Sequence, residues 1–564
     1  MKLKLTVHNR EYTHWTWYDA DELTEKEVNL IPLEYNLFYN DVIEYNDNNV
    51  KILHSTIRNI PNIAGVLMLE DKTFGRSKNN KLIYKCIPDD KRLPIFLVPY
   101  EDKKTKFNKK KINKYVTFQY KEWNEKHPCG ILNEVIGDVS DLSKFYEYQL
   151  YCKSLNASIQ NFTKVTKQIF KNKPSVDFID EIMNTYKIED RTDNHTFTID
   201  SIGTQDYDDG FGIVKNNDHT VVTVYIANVV IWMEYLNLWK SFSERVSTIY
   251  LPDRKRPMLP SILSEQLCSL NEKNRKFVFY MDLHINNITH KIDEIKYGNA
   301  LIKISKNYCY EKYIDDKDYI MLFDITQHLS KNYKILDSIT TSGDLVHYYM
   351  MLMNHNCAEE MGKYKKGIYR SFVNNDNSRI VPENLSEEIT KFIKIWQKSY
   401  GAYCKYSEDR EHNKISRDIK SSYLHITSPI RRLVDLINMS LIMVNLNIFK
   451  LSDEGNKFID KWINKLDYIN TTMRAIKKIQ CDSSLLEMCT NNYSIINSIY
   501  NGYIFDKIPR NDGLYQYTVY IPKIKMVSRI TLRENEENYT NYDFKLYLFH
   551  DESSFKRKIR LQLI

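Results

Sequence analysis

The sequence predicts a multidomain α+β protein in which strand-rich, β-barrel-like modules flank a large α/β centre. Three observations carry this prediction. Short apolar runs such as KLKLTV, NDVIEY, GVLML, KLIYKCI and YVTFQY recur through the first 150 residues, separated by turn-forming Asn, Asp, Gly and Lys. After a more helical, polar stretch from about 140 to 190, strands alternate with helices, as in TVVTVYIANVVIWM and KFVFYMDLHI, up to the long amphipathic stretch DKWINKLDYINTTMRAIKKIQ. The last 65 residues return to strands in QYTVYIPKIKMV and NYDFKLYLF.

Composition agrees with this division. A chain of 564 residues with 42% hydrophobic and 13% aromatic content can bury several cores, roughly three to five domains. The opening MKLKLTVHNREYTHW lacks a signal peptide's apolar core, and no run reaches about 18 apolar residues, so the expected location is cytoplasmic, with no membrane partner. Nine scattered cysteines without a Cys-x-x-Cys pair argue against a disulfide framework or a zinc site. The net charge is only +7, but cations bunch in KKTKFNKKKINK (103–114), LPDRKRP (251–257) and the terminal FKRKIRLQLI, among 42 tyrosines. Basic runs interleaved with aromatics suit single-stranded nucleic acid, although an AT-rich coding sequence gives the same composition.

The stretch TIDSIGTQDYDDG places Asp200, Asp206, Asp208 and Asp209 within ten positions. Unpaired carboxylates repel, by roughly 1 kcal/mol per pair at about 4 Å even in water, so a metal, an arginine cluster or bulk solvent must accommodate them. With Phe197 to Asp200 ending a strand, Asp200 emerges at its mouth and the turn-prone Ser201 to Gln205 returns the chain past it. Such hard oxygen ligands select Mg²⁺ or Mn²⁺ over zinc, and two ions about 3.5–4 Å apart suit in-line phosphodiester hydrolysis. A solvated acidic loop is the competing reading. A calcium loop fits less well, because the spacing lacks the D-x-[DN]-x-[DN]-G pattern.

A second stretch, SSYLHITSPIRRLVDLINM, sets Thr427, Ser428 and Pro429 before Arg431 and Arg432 at what reads as a helix start, where free N–H groups attract anions. An arginine there can donate to phosphate oxygens and stabilise a pentacovalent transition state, or it can be a paired structural residue.

These two stretches resemble the signature blocks of the ribonuclease II/ribonuclease R (RNB) family, which includes the exosome-type nucleases. ERVSTIYLPDRKRPMLPSILSEQLCSL, LVHYYMMLMNHNCAEEM and KGIYR are similar to further blocks in family order, over about residues 188–490. The resemblance implies a processive 3′→5′ exoribonuclease that hydrolyses single-stranded RNA with a free 3′ end to nucleoside 5′-monophosphates, using two Mg²⁺ ions for which Mn²⁺ can substitute. It assigns Asp200, Asp206, Asp208 and Asp209 to metal binding, with Asp208 and Asp209 also catalytic. Arg431 falls on the transition-state arginine, Tyr250 on an aromatic that stacks near the RNA 3′ end, and Tyr310 on a second tyrosine near the active centre. Thr427, Ser428 and Arg432 are expected to contact RNA.

The resemblance also implies cold-shock OB barrels before the catalytic domain and an S1-like OB barrel after it. The expected division is a short cold-shock module at 1–59, a second at 60–150, a helical connection at 151–187, the RNB domain at 188–490 and the S1-like module at 491–564. Nothing resembles the endonuclease domain or cysteine motif of exosome-bound relatives, so a monomer without stable exosome attachment is expected. The chain departs from the family at Asn228, Leu433, Met439-Ser440 and Arg370-Ser-Phe372, which puts substrate grip and processivity in doubt. The runner-up function is a non-catalytic RNA-binding protein of the same fold, although the loss of an aspartate expected of one is not seen here. A metal-dependent deoxyribonuclease would share the chemistry and differ in reading the 2′-OH.

Overall fold

Period-2 burial builds the first module: in the strand Lys2–Val7, Leu3, Leu5 and Val7 point inward and their neighbours outward. A computed structural model describes the chain except residues 47–48, 102–110, 172–174, 337, 372–381, 383–384, 399–400, 408–421 and 552–554. Most of the basic run at 103–114, and Phe372, lie outside the described residues. The chain divides into two units, one of Met1–Asn156, Leu251–Arg254 and Lys477–Ile564, the other of Ala157–Tyr250 and Lys255–Ile476.

The first unit holds three β modules. Its N-terminal sheet has the order Glu25–Lys26, Trp15–Asp19, Lys2–Val7, Val42–Asn46, Asn49–His54, over a core that includes Leu5, Trp17 and Ile43. Next comes a closed barrel of Cys129–Asp138, Phe96–Tyr100, Leu82–Pro88, Ile63–Leu67 and Lys114–Glu122. Phe118 fills its interior, 4.9 Å from the Phe96 ring centroid. Gly65 and Gly130 make room for that ring, since a Cβ on either would stand 2.9 or 2.8 Å from it. The third module is a five-stranded antiparallel sheet in the order Met526–Leu532, Tyr515–Ile521, Ile499–Pro509, Asn541–Asp551, Lys556–Leu563, whose edge strands approach one another. It is tied to the closed barrel by Lys556 to Asp89 (2.7 Å), by the Tyr115 hydroxyl donating to the Phe555 carbonyl (2.9 Å) and by Arg557 donating to the Val139 carbonyl (3.1 Å).

The second unit is built on a mixed seven-stranded sheet, ordered Glu189–Asp190, Ile292–Lys303, Arg275–Asn286, His219–Ala227, Asp209–Lys215, Thr196–Asp200, Lys306–Cys309. The helix Ser342–Lys363 packs on Thr196–Asp200, and Leu433–Asn445, apolar on nearly every side, is buried against Ser342–Lys363 and Val229–Tyr235. The long amphipathic stretch is two helices, Asp453–Ile463 and Leu466–Asn491, broken where Asn464 ends the first. The fold is thus multidomain α+β, with flanking β modules and a mixed central sheet. Among the described residues, no helix is long and apolar enough to cross a membrane.

Phe118→Ala should remove the barrel's central ring without room for collapse, costing about 3–5 kcal/mol. Denaturant unfolding followed by tryptophan fluorescence, which Trp123 in the same core reports, should show the earlier midpoint.

Candidate active site

The acidic cluster arises from a strand, a pinned loop and a second strand. Thr196–Asp200 is buried up to its last residue, and its antiparallel register with Asp209–Lys215 (Phe197 opposite Phe211) sets the end of one strand beside the start of the next. Between them the loop turns at Gly203, whose φ of +84° favours glycine. The return path is fixed by buried Ser269: the Tyr207 N–H donates to its Oγ (3.0 Å), and that Oγ donates to the Gln205 carbonyl (3.1 Å). The Leu270 N–H donates to the Tyr207 carbonyl (3.0 Å) and the Ala227 N–H to the Asp208 carbonyl (2.8 Å).

Four carboxylates are thereby brought together, and they divide into two kinds. Asp206 meets Lys255 Nζ at 3.0 Å, and the same ammonium meets Glu265 at 2.8 Å. Asp208 Oδ1 accepts from the Ile430 N–H and its Oδ2 from Arg431 Nε, both at 3.0 Å. Asp200 Oδ2 and Asp209 Oδ2, by contrast, are buried and accept no hydrogen bond. Burial, reinforced by the charge of Asp208, pushes the Asp200 carboxyl up to about 7. Burial with Asp200 and Asp208 beside it raises Asp209 well above the carboxylate range. Burial also lifts Asp208 to about 6, against the opposing pull of Arg431.

The SPIRR segment differs from the expected helix start. The helix begins at Leu433, after both arginines, and Arg432 is its extended N-cap at φ −134°, ψ 124°. The physical reason is tertiary. Ser247 and Arg432 form a β-bridge, flanked by the Thr248 N–H to the Arg431 carbonyl and the Leu433 N–H to the Val246 carbonyl, both at 3.0 Å. Arg431 and Arg432 are therefore separated by an extended step, not by a helical 100° rotation. Arg431 donates through Nη2 to Ser428 Oγ (3.0 Å), whereas Arg432 pairs with fully buried Asp435 (2.8 Å), which also accepts the Ser428 N–H. Thr427 and Ser428 are both buried.

The two tyrosines flank the cluster. Tyr250 is 41% exposed and lies beside Asp206 and Arg431. Tyr310 follows the edge strand Lys306–Cys309, its N–H donating to the Asp200 carbonyl (2.9 Å), with its ring in the field of Asp209 and Asp200. Three further residues escaped sequence reasoning: Lys255, Ser269 and Asp435. Of these, Lys255 was visible only within the basic run LPDRKRP, where Lys255 turns into the acids, Arg256 is buried and Arg254 remains exposed. The departures at Asn228, Leu433, Met439 and Ser440 are all buried. Asn228 caps Val229–Tyr235 and donates to Asn299 Oδ1 (2.9 Å), which an aspartate could not do.

The donor chemistry fits a hard divalent cation at Asp200 and Asp209, because two buried carboxylate oxygens without a partner are costly unless a cation joins them. Among the described residues, no three Asp, Glu, His or Cys side chains converge as a ready cage, and Asp206 and Asp208 are engaged by Lys255 and Arg431.

A family model for the RNB domain matches residues 188–318, and one for the Dis3-like cold-shock domain 2 (CSD2) matches residues 83–147. Ribonuclease R of Mycoplasmopsis pulmonis is 29% identical over 153 residues, 25% of this chain and only 21% of that protein. Exoribonuclease 2 of Psychromonas ingrahamii is 24% identical over 481 residues, 72% of this chain and 68% of that protein. Among solved structures, Mycoplasma genitalium RNase R in complex with ribose methylated single-stranded RNA superimposes with a TM-score of 0.68 at 17% identity, covering 100% of both chains. Yeast Ssd1, described as a pseudonuclease, gives a TM-score of 0.59 at 13% identity, covering 97% of this chain and 80% of that one. At such identities the structural likeness establishes the fold. The chain carries an RNB domain over residues 188–318 and a Dis3-like cold-shock domain over residues 83–147, and is similar in sequence to ribonuclease R and exoribonuclease 2.

Proposed function

We propose that this chain is a divalent-metal-dependent 3′→5′ exoribonuclease that hydrolyses single-stranded RNA from a free 3′ end to nucleoside 5′-monophosphates. The observation that carries the reading is the cluster itself: four aspartates and Arg431 in one place, two of the acids with buried oxygens bare of hydrogen bonds. Asp200 and Asp209 would hold Mg²⁺ or Mn²⁺, which would supply an activated water and neutralise charge on the scissile phosphate. Asp208 orients Arg431 through Nε, leaving guanidinium N–H groups to donate to the phosphate as charge builds on it. The exposed face of Tyr250 and the ring of Tyr310 offer stacking surfaces for the terminal bases.

The likeness to the pseudonuclease Ssd1 favours a second reading, RNA binding without cleavage. A time course on 5′-labelled single-stranded RNA, with Mg²⁺ and with EDTA, separates the two. Stepwise shortening from the 3′ end with mononucleotide release, stopped by EDTA, is expected. Bound but intact RNA would establish the second reading, and internal cuts would refute the first.

Single-turnover cleavage should respond to the residues in a set order. Asp209→Asn should abolish cleavage while RNA still binds. Arg431→Ala should slow cleavage by roughly 10²-fold or more with a modest loss of affinity. Arg432→Ala should act mainly on the melting temperature, because it strands buried Asp435. A greater loss of turnover for Arg432→Ala than for Arg431→Ala would reassign the roles.

A pH dependence follows from Asp200, raised from an ordinary 3.8 to about 7. Between those values the folded chain keeps a proton that the unfolded chain releases. Stability present below 3.8 is therefore lost as pH rises to about 7, and Asp209 shifts in the same direction. In chelator the melting temperature should fall over this window. Added Mg²⁺ competes with those protons, so its stabilisation should be larger near about pH 8 than near about pH 5. Equal stabilisation at both values would show that the ion binds elsewhere.

A further inference from the structure

Lys255 is placed where a cation is needed. It lies on a two-stranded ribbon, paired with Tyr250, so its backbone is fixed opposite a tyrosine of the site. Its side chain is only 18% exposed and reaches Asp206, whose side chain is 6% exposed, at 3.0 Å, while Glu265 steadies the ammonium from another side at 2.8 Å. Arg431 neutralises Asp208 in the same way. Of four carboxylates, two are matched by fixed cations, and the two that remain, Asp200 and Asp209, carry the bare buried oxygens. Their combined charge equals that of one divalent ion.

Resting on the metal-dependent reading above, we propose that Lys255 takes the place of the second metal ion, so that the cluster binds a single divalent cation, at Asp200 and Asp209. A further ion at Asp206 would have to approach the Lys255 ammonium, a like charge held within contact distance of the same carboxylate. Lys255 is thus a positioning residue that sets the metal count.

The test is Mn²⁺ binding to the full chain without RNA, with free Mn²⁺ read by electron paramagnetic resonance and the bound signal examined for coupling between ions about 3.5–4 Å apart. Only binding lost in Asp209→Asn is counted, which sets aside surface sites. The wild-type chain should bind one such ion with an uncoupled signal. Lys255→Met should bind two and show a coupled pair, and Lys255→Arg, which keeps the charge, should bind one. Two ions in the wild-type chain, or one in Lys255→Met when its circular dichroism matches wild type, would overturn the role of Lys255. If Lys255→Met does not fold, the wild-type and Lys255→Arg counts decide: one uncoupled ion in each supports the proposal, and a coupled pair in either overturns it. No such ion in the wild-type chain, together with intact RNA, would overturn the metal-dependent nuclease reading itself. Two coupled ions with RNA shortening would leave that reading standing and remove only this inference.

Discussion

The contact between Arg431 and Asp208 is the constraint on which the site depends. It joins positions 223 apart in the chain and is doubled by the neighbouring Ile430 N–H on the other oxygen of the same carboxylate. An ion pair with one buried member adds little net stability, but losing Arg431 would leave the Asp208 charge uncompensated where water cannot reach it. The acid loop and the SPIRR turn therefore hold each other in place. Because Asp208 is engaged through both oxygens, it serves as the mount for the guanidinium, and the bare electronegative surface is concentrated on Asp200 and Asp209.

This division explains how so many acids are tolerated together. Asp206 and Asp208 are engaged by cations of the chain itself and by one backbone N–H, interactions formed as the unit folds. Asp200 and Asp209 lack such partners and, like Asp208, keep their protons above the ordinary carboxylate range, since burial and the neighbouring acids disfavour the charged forms. Hydrogen bonds with Ser269, Leu270 and Ala227 hold the backbone of the loop in place around them.

Local periodicity made much of the architecture legible. The buried run Phe197 to Ile199 with Asp200 at its mouth lies on a strand as read, and the strand-rich ends are the β sheets of the first unit. Asn228 marks a strand-to-helix switch that its capping chemistry explains. What local pattern could not carry was tertiary. Pro429 ahead of two arginines looks like a helix start, but bridging to Ser247 keeps Arg432 extended. The break at Asn464 carries neither glycine nor proline to announce it. Lys255 reads as one more cation in a basic run, because Asp206, the aspartate of the cluster that it meets, lies 49 positions away.

The first unit draws its β modules from both ends of the chain, and the Tyr115 hydroxyl finds its acceptor 440 positions later. A ribosome releases the closed barrel long before the sheet that docks on it exists. The surface around Tyr115 and Asp89 must therefore wait, uncovered, for more than three hundred residues of intervening synthesis. Loop closure over such a span is slow relative to local pairing. Maturation of this protein is accordingly a matter of timing as well as stability: nascent chains stalled before the final sheet should be its most chaperone-dependent form.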